Sequence, residues 1–455
     1  MRNPILRSII HSFHKRLNNI TGDSLGDQFV KEGLGSVTIN LANRFIVLVS
    51  GILLARFLGK EQYGIYSYIL SLIFVLIIPA GYGLSNLIVR ETARGVTKEN
   101  PNLIIGVWRW SFVITLILCG LIFLISALGL FWAGSRFGNE EINSFLWALC
   151  LIPLESLILL ISAGLRGMKY INLGQISELL ITPILFLILF IAIYLSPSIP
   201  LTTISTMAIR VLSTLVALVF SVIFLLNKTP RFIFTAKPAI QGKLWSTAAI
   251  PLALSSGLGM IKSRITILLM GFFVSAAQIG TFQVALSASG LASLFLQASD
   301  VVLAPHFASL YTQKKNQTLQ QLVTVSTRVV SAFNIVITLL FIFFGKPIIS
   351  FVFGSDLLDS YFPILIMLVG QLVNSFVGSV PFLLNMTGHE NEVMKVVGLS
   401  SALNIITTLS LTPFLGITGG AIASAISLII AQTIMSVLVY KRLGIISHVF
   451  YHGSS

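Results

Sequence analysis

The stretch Leu53-Leu54-Ala55-Arg56-Phe57-Leu58-Gly59-Lys60-Glu61-Gln62-Tyr63-Gly64-Ile65-Tyr66 reappears without a gap 216 residues later, as Leu269-Met270-Gly271-Phe272-Phe273-Val274-Ser275-Ala276-Ala277-Gln278-Ile279-Gly280-Thr281-Phe282. Leu53, Phe57, Gln62 and Gly64 are identical in the two copies. In each copy a long apolar run with a polar face ends, a short turn carries Gln, an aliphatic or aromatic residue and then Gly, and an aromatic opens the next run. Self-similarity at a fixed offset in a polytopic chain marks a structural repeat.

A bilayer core about 30 Å thick takes roughly 20 apolar residues per helix, and only helices or closed barrels cross it. The runs on either side of the repeated stretch are too long for barrel strands. Windows of about 19 residues place twelve spans near 36–58, 64–89, 105–131, 145–165, 171–195, 202–226, 245–273, 278–305, 322–345, 361–385, 393–413 and 418–440. The offset carries span 1 onto span 7 and span 2 onto span 8. Six spans per repeat is an even number, so both halves enter the bilayer from one side and are related by an axis along the membrane normal. The expected fold is therefore all-α, a polytopic membrane protein of twelve transmembrane helices in two six-helix lobes, 33–226 and 245–440. A basic linker, 227–244, joins the lobes, and tails flank them at 1–32 and 441–455. Two such lobes around a midplane cleft form an alternating-access carrier.

Composition agrees. Of 455 residues, 55% are hydrophobic and 10% charged, with mean hydropathy +0.94, against about 25% charged in soluble domains. A water-soluble domain is excluded. Lys and Arg number 29 against 15 acids, a formal charge of +14. In a soluble protein that balance would suggest nucleic acid; here it follows topology, because 19 of the bases fall in loops and tails on one side and 3 in loops on the other. By the positive-inside bias both termini are cytoplasmic, and no nucleic-acid partner is implied. With their acids, the cytoplasmic segments carry +12, the outer loops −2 and the spans +4. No secretory signal peptide is expected, since the first 20 residues lack a continuous apolar segment. Ile5, Leu6, Ile9, Ile10, Phe13 and Leu17 recur there at helical spacing among basic residues, which suits either a helix lying on the cytoplasmic leaflet or a frayed basic tail. Two cysteines, Cys119 and Cys150, both inside apolar stretches, offer neither a disulfide framework nor a metal site. No Walker loop, nucleophile elbow or His-Glu-x-x-His helix is present, and the outer loops are short, so neither ATP-driven transport nor an enzyme with an outer catalytic loop is indicated, and no cofactor is expected.

Function is carried by charge inside the bilayer. Arg44, Arg56, Arg109, Arg210, Lys262, Arg264 and Arg328 lie within or at the ends of spans, with only Glu155, Glu178 and Asp300 against them. A charge at the bilayer centre costs about 2.5–3.5 kcal/mol and needs a partner, a wet cavity or a route to the interface. Arg56, Arg109 and Arg328 are near enough to span ends to snorkel. Arg44 is not: Ser36, Asn40, Asn43, Arg44, Ser50 and Gly51 make one polar stripe of span 1 that cannot face lipid. In span 7, the repeat mate, Ser255, Gly259, Lys262 and Thr266 recur beside Ser256, Ser263 and Arg264. The bland alternative pairs these groups across helices as glue, but three acids cannot neutralise Arg44, Arg210, Lys262 and Arg264. A positive cavity at that depth calls for an anion, and a phosphate or pyrophosphate head group fits. Substrate-binding candidates are thus Arg44, Lys262, Arg264, Arg210, Asn40 and Asn43. Ser289, Ser293 and Gln297 of span 8 and Gln371, Asn374 and Ser375 of span 10 suit hydroxyl-rich cargo. Asp300 and Glu155 are candidates for coupling to a proton or sodium ion, with a fixed salt bridge as the alternative for each.

The stretch Ala55-Arg56-Phe57-Leu58-Gly59-Lys60-Glu61-Gln62-Tyr63-Gly64-Ile65-Tyr66, together with Gly81-Tyr82-Gly83-Leu84-Ser85-Asn86-Leu87-Ile88-Val89-Arg90-Glu91, resembles the oligosaccharide-lipid flippases. These are the Wzx-type O-antigen translocases, the polysaccharide transport branch of the multidrug/oligosaccharidyl-lipid/polysaccharide exporter superfamily. The resemblance implies flipping of an undecaprenyl-pyrophosphate-linked oligosaccharide of the lipopolysaccharide type across a bacterial inner membrane, with the anionic head group held at Arg44, Lys262, Arg264 and Arg210. Other glycan-assembly membrane proteins would be partners. The rival within the superfamily is a multidrug and toxin cation antiporter, which would want a net acidic cavity. Peptidoglycan-precursor flippases usually carry two additional spans not visible in this sequence.

Overall fold

The computed structural model describes residues 23–133, 138–196 and 200–451, leaving out the side chains at 23–31, 33, 34, 131–133, 254–256, 258, 259, 262, 263, 301, 302, 304 and 305. The helix expected over the first 20 residues lies outside the described part. Every regular element within it is helical. Among the described residues nine helices are long and apolar enough to cross a membrane. Two of these double back on themselves. In Asp23–Ile77 the break is Gly59, at φ 76° and ψ 166°, a conformation open essentially to glycine alone. A Cβ on Gly51 would lie 3.6 Å from the Tyr63 hydroxyl, whereas twelve residues of straight helix cover about 18 Å. In Glu390–Leu443 the break is Gly416, and Asn404 Nδ2 donates to Ser427 Oγ at 3.2 Å. Each is a helical hairpin, matching spans 1 and 2 and spans 11 and 12.

Between the hairpins run Pro101–Ala133, the joined pair Asn139–Leu149 and Leu151–Gly167, then Ile171–Leu195 and Thr203–Lys228. The second half holds Gly242–Met270, Ala276–Thr312, Asn316–Val352 and Tyr361–Val377. Gly242–Met270, the expected seventh span, contains Pro251 and is not among the nine. The tenth span differs from expectation. It stops at Val377, turns through Gly378 at φ 78° and resumes as Val380–Met386, because Pro381 has no amide hydrogen with which to continue the helical ladder back to Val377. Two π-helical turns, Ile78–Tyr82 and Ser177–Ile181, interrupt spans 2 and 5.

Packing locates the cleft. Around the two repeated turns, one continuous apolar cluster crosses between the lobes and includes Leu54, Tyr63, Tyr66, Met270, Ile279, Phe282, Ile364 and Leu368. At the end bearing the basic loops there are two clusters instead. One gathers Leu84, Leu87, Ile88, Leu103, Val107, Leu160 and Trp245; the other gathers Phe307, Leu319, Val323, Leu383, Val396, Met435 and Val439. The lobes therefore share one core at one end and, span 7 apart, have separate cores at the basic end. Span 7 bridges them. Near its start Trp245 is buried in the first lobe, its ring 5.6 Å from that of Trp110, while Thr266 near its other end donates to Asn404 Oδ1 at 2.9 Å in the second lobe. Residues 444–451 pack beneath the second lobe, where Gln320 exchanges two hydrogen bonds with the Ile446 backbone and Val449 N donates to Phe376 O at 2.9 Å.

Candidate functional site, a cationic cleft between the lobes

Spans 1, 2 and 8 build the floor of the cleft. The Tyr63 hydroxyl meets the side chains of Ser67, Gln283 and Ser287, and Gly51 faces Tyr63 and Ser287. Residues 283, 287, 290, 294 and 297 share one stripe of span 8. A Cβ on Gly290 would touch nothing within 4 Å, so one turn beyond Ser287 the space between the lobes opens. Ser293 and Gln297, linked at 2.7 Å, continue that stripe. Gln371 and Asn374, linked at 3.2 Å, run alongside on span 10, held in register by Ser289 against the Met367 sulfur and by Asp300 against Ser379.

Arg44 lies two helical turns from Gly51 on the same face of span 1. It is exposed, and its charge interacts across the cleft with buried Asp300. Among the described residues it has no ion pair within 4 Å. Asn40, half-buried, donates to Ser36 O at 2.8 Å, and Asn43 is half-buried beside it. Asp300 retains one buried carboxylate oxygen with no hydrogen-bond partner.

The other candidates fall on the first-lobe wall. Arg210 Nη2 contacts Glu155 Oε1 at 3.2 Å, and its guanidinium lies 5.8 Å from the Phe186 ring. A proposed cargo ligand and a proposed coupling carboxylate thus neutralise one another. Arg264 reaches over from span 7, stacks 4.9 Å above the Phe74 ring and keeps a buried, unpartnered Nε. The charges and hydroxyls around it are Tyr63, Tyr66, Tyr82 and Arg210. Glu178, in the π turn of span 5, is held by Ser162 and by the charge of Arg166. Lys262 is on the same helix as Arg264, but its side chain lies outside the described residues.

With Glu155 paired to Arg210 and Glu178 within the field of Arg166, the cationic character of the cleft rests, among the described side chains, on Arg264 and Arg44, the latter facing the carboxylate of Asp300. Tyr63, Tyr66 and Tyr82 line this wall without belonging to the charged and amide residues that the sequence pattern singles out. The first two stand in the repeated stretch itself, and their repeat mates are Ile279 and Phe282; that polar-for-apolar difference is the signal that marks them. Among the described residues no group of three or more His, Cys, Asp or Glu side chains is placed to hold a metal.

The family model for polysaccharide biosynthesis proteins matches residues 29–311. The chain belongs to that family. No curated protein matches it. Among solved structures, this polysaccharide biosynthesis protein is similar to an inward-facing multidrug resistance MATE family transporter of the MOP superfamily, with TM-score 0.73 and 14% identity over 88% of this chain and 94% of that one. It is also similar to the lipid II flippase MurJ in an inward closed conformation, with TM-score 0.70 and 16% identity over 91% of this chain and 90% of that one. An outward-facing MATE family transporter aligns with TM-score 0.59 and 13% identity over 92% of this chain and 95% of that one. At these identities the likeness is one of fold, an all-helical fold of several membrane-length helices.

Proposed function

We propose that this chain is a flippase. It moves a polyprenyl-pyrophosphate-linked oligosaccharide, an O-antigen or related repeat unit, from the cytoplasmic to the outer leaflet of a bacterial inner membrane, by rocking of its two lobes. The observation that carries this is Arg44. A guanidinium exposed at bilayer depth, turned toward the other lobe and without an ion pair within 4 Å among the described residues, is stable where water or an anion fills the space before it. Arg264 supplies a second cation with an unused donor, and a pyrophosphate presents acceptors to both. The hydroxyl and amide stripe of Ser293, Gln297, Gln371 and Asn374 suits the sugars, and the lipid tail stays in the bilayer. The basic end, where the lobes have separate cores, is the cytoplasmic one by the positive-inside bias, so the cleft is open to the leaflet on which the lipid-linked unit is made.

A MATE-like cation antiporter is the competing reading, favoured by the structural neighbours and opposed by the cationic cleft. Depletion in the native host separates the two. Accumulation of a polyprenyl-pyrophosphate oligosaccharide on the cytoplasmic leaflet supports the flippase, and drug sensitivity with normal surface glycan overturns it. Arg44→Ala and Lys262→Ala are each expected to abolish complementation with normal membrane insertion; full activity in both refutes the cationic site. For coupling to a proton or sodium gradient we favour Asp300 over Glu155, since Glu155 is already paired with Arg210. Transport that survives collapse of both gradients overturns the coupling.

A further inference from the structure

We propose that the crossing of span 2 over span 8 at Gly64 and Gly280 is a pseudo-twofold gate, which seals the cleft at the end away from the basic loops and separates as a unit when cargo leaves. The inference rests on the alternating-access reading above but not on the identity of the cargo.

Gly64 and Gly280 occupy the same place in the two repeats, 216 residues apart. Each is pressed against the other's helix. A Cβ on Gly64 would land on the carbonyl oxygen of Ala276 and lie 2.9 Å from the Gly280 nitrogen. A Cβ on Gly280 would land on the carbonyl oxygen of Lys60 and lie 3.1 Å from the Gly64 nitrogen. Lys60 and Ala276 are repeat mates as well. The contact is therefore isologous, with residue i of one lobe touching j of the other and j touching i. The axis relating the lobes passes between the two glycines. At the joined end of the molecule, that axis is where two rocking lobes have to come apart.

The neighbouring turn suits a contact that breaks and re-forms. Tyr63 meets Ser67 and Gln283, again repeat mates, as well as Ser287. The side-chain carbonyl oxygen of Gln283 is buried there without a hydrogen-bond partner. An orphan acceptor penalises the closed state and gains water when the seam opens, so the close helix approach that favours closure is counterweighted. At the rim Arg56 Nη1 donates to the Phe351 carbonyl across the lobes. The seam ends one turn past Ser287, where Gly290 faces open space.

The test uses the full chain with Cys119→Ser and Cys150→Ser, and Gly51→Cys as reporter, since a Cβ there makes only ordinary contacts of 3.6 and 3.8 Å. Oriented membrane vesicles are labelled with a membrane-impermeant maleimide from the face opposite the basic loops. Gly64→Ala and Gly280→Ala are each expected to raise the labelling rate severalfold, and the double variant to add little to either. Tyr63→Phe adds no bulk and removes the hydroxyl, so it is expected to raise labelling too, and it decides alone if the glycine variants do not reach the membrane. Unchanged labelling in all variants that insert at the parental level overturns the gate. Because the readout needs no cargo, an intact gate response in a protein whose depletion gives drug sensitivity with normal surface glycan would retain the gate and remove the flippase reading.

Discussion

Arg210 and Arg44 carry the same charge within the bilayer, yet the structure assigns them different work. Arg210 and Glu155 are 17% and 16% exposed and in contact, so each answers the other's desolvation. Removing one partner of such a pair strands the other charge, at a cost of about 2 kcal/mol once partial exposure is allowed for. Arg210→Ala is expected to lower the unfolding midpoint of the detergent-solubilised protein, and Arg210→Ala with Glu155→Ala to recover most of the loss. Among the described residues Arg44 has no ion-pair partner within 4 Å to strand, so Arg44→Ala is expected to leave the midpoint unchanged while transport fails. An unaltered midpoint in Arg210→Ala would show that the pair is not structural. The sequence made the problem legible, with four interior bases set against three acids, but not its solution. Which base meets Glu155 depends on spans 4 and 6 lying side by side, and the pattern of apolar residues along each span is silent on that.

At the scale of elements, what the sequence displayed best was length and apolarity, and what it hid was backbone geometry. The turn after span 1 was visible as the Gln-x-Gly motif, yet the residue on which the hairpin pivots is Gly59, whose repeat mate is Ser275. Ser275 works differently, accepting a hydrogen bond from Gln278 N as a helix cap. Gly59 has φ 76° and ψ 166°, where a side chain costs on the order of 1–3 kcal/mol. Gly59→Ala is therefore expected to reduce thermal stability by that amount, although nothing within 4 Å would clash with the added methyl; equal stability would mean that the hairpin relaxes into another turn. The π turns at Ile78–Tyr82 and Ser177–Ile181 were not legible, because one extra residue per turn leaves no compositional mark. They place Tyr82 and Glu178 in each other's electrostatic reach, on the wall that receives Arg264.

For the whole molecule, the arrangement of apolar clusters specifies where solvent enters. A single cluster spans both lobes around the two repeated turns, and separate ones fill the basic ends. Two lobes were readable from the 216-residue offset, but the end at which they meet was not, since a repeat fixes symmetry and leaves the tilt of its halves free. Gly290 reports on that tilt. It lies on the stripe that touches Tyr63 one turn earlier, and a Cβ there meets nothing, so a thiol at this position projects into the cleft. In a background lacking Cys119 and Cys150, Gly290→Cys is expected to react with an impermeant maleimide applied from the basic side and to resist the same reagent from the other. Arg44 and Asp300 lie between this position and the basic end, so a bound pyrophosphate-bearing lipid should slow the reaction, whereas an uncharged lipid should not. Equal reaction from both sides would mean that the joined end does not seal. No reaction from either would mean that span 8 turns Gly290 toward lipid, and the cleft would then have to be sought on another face.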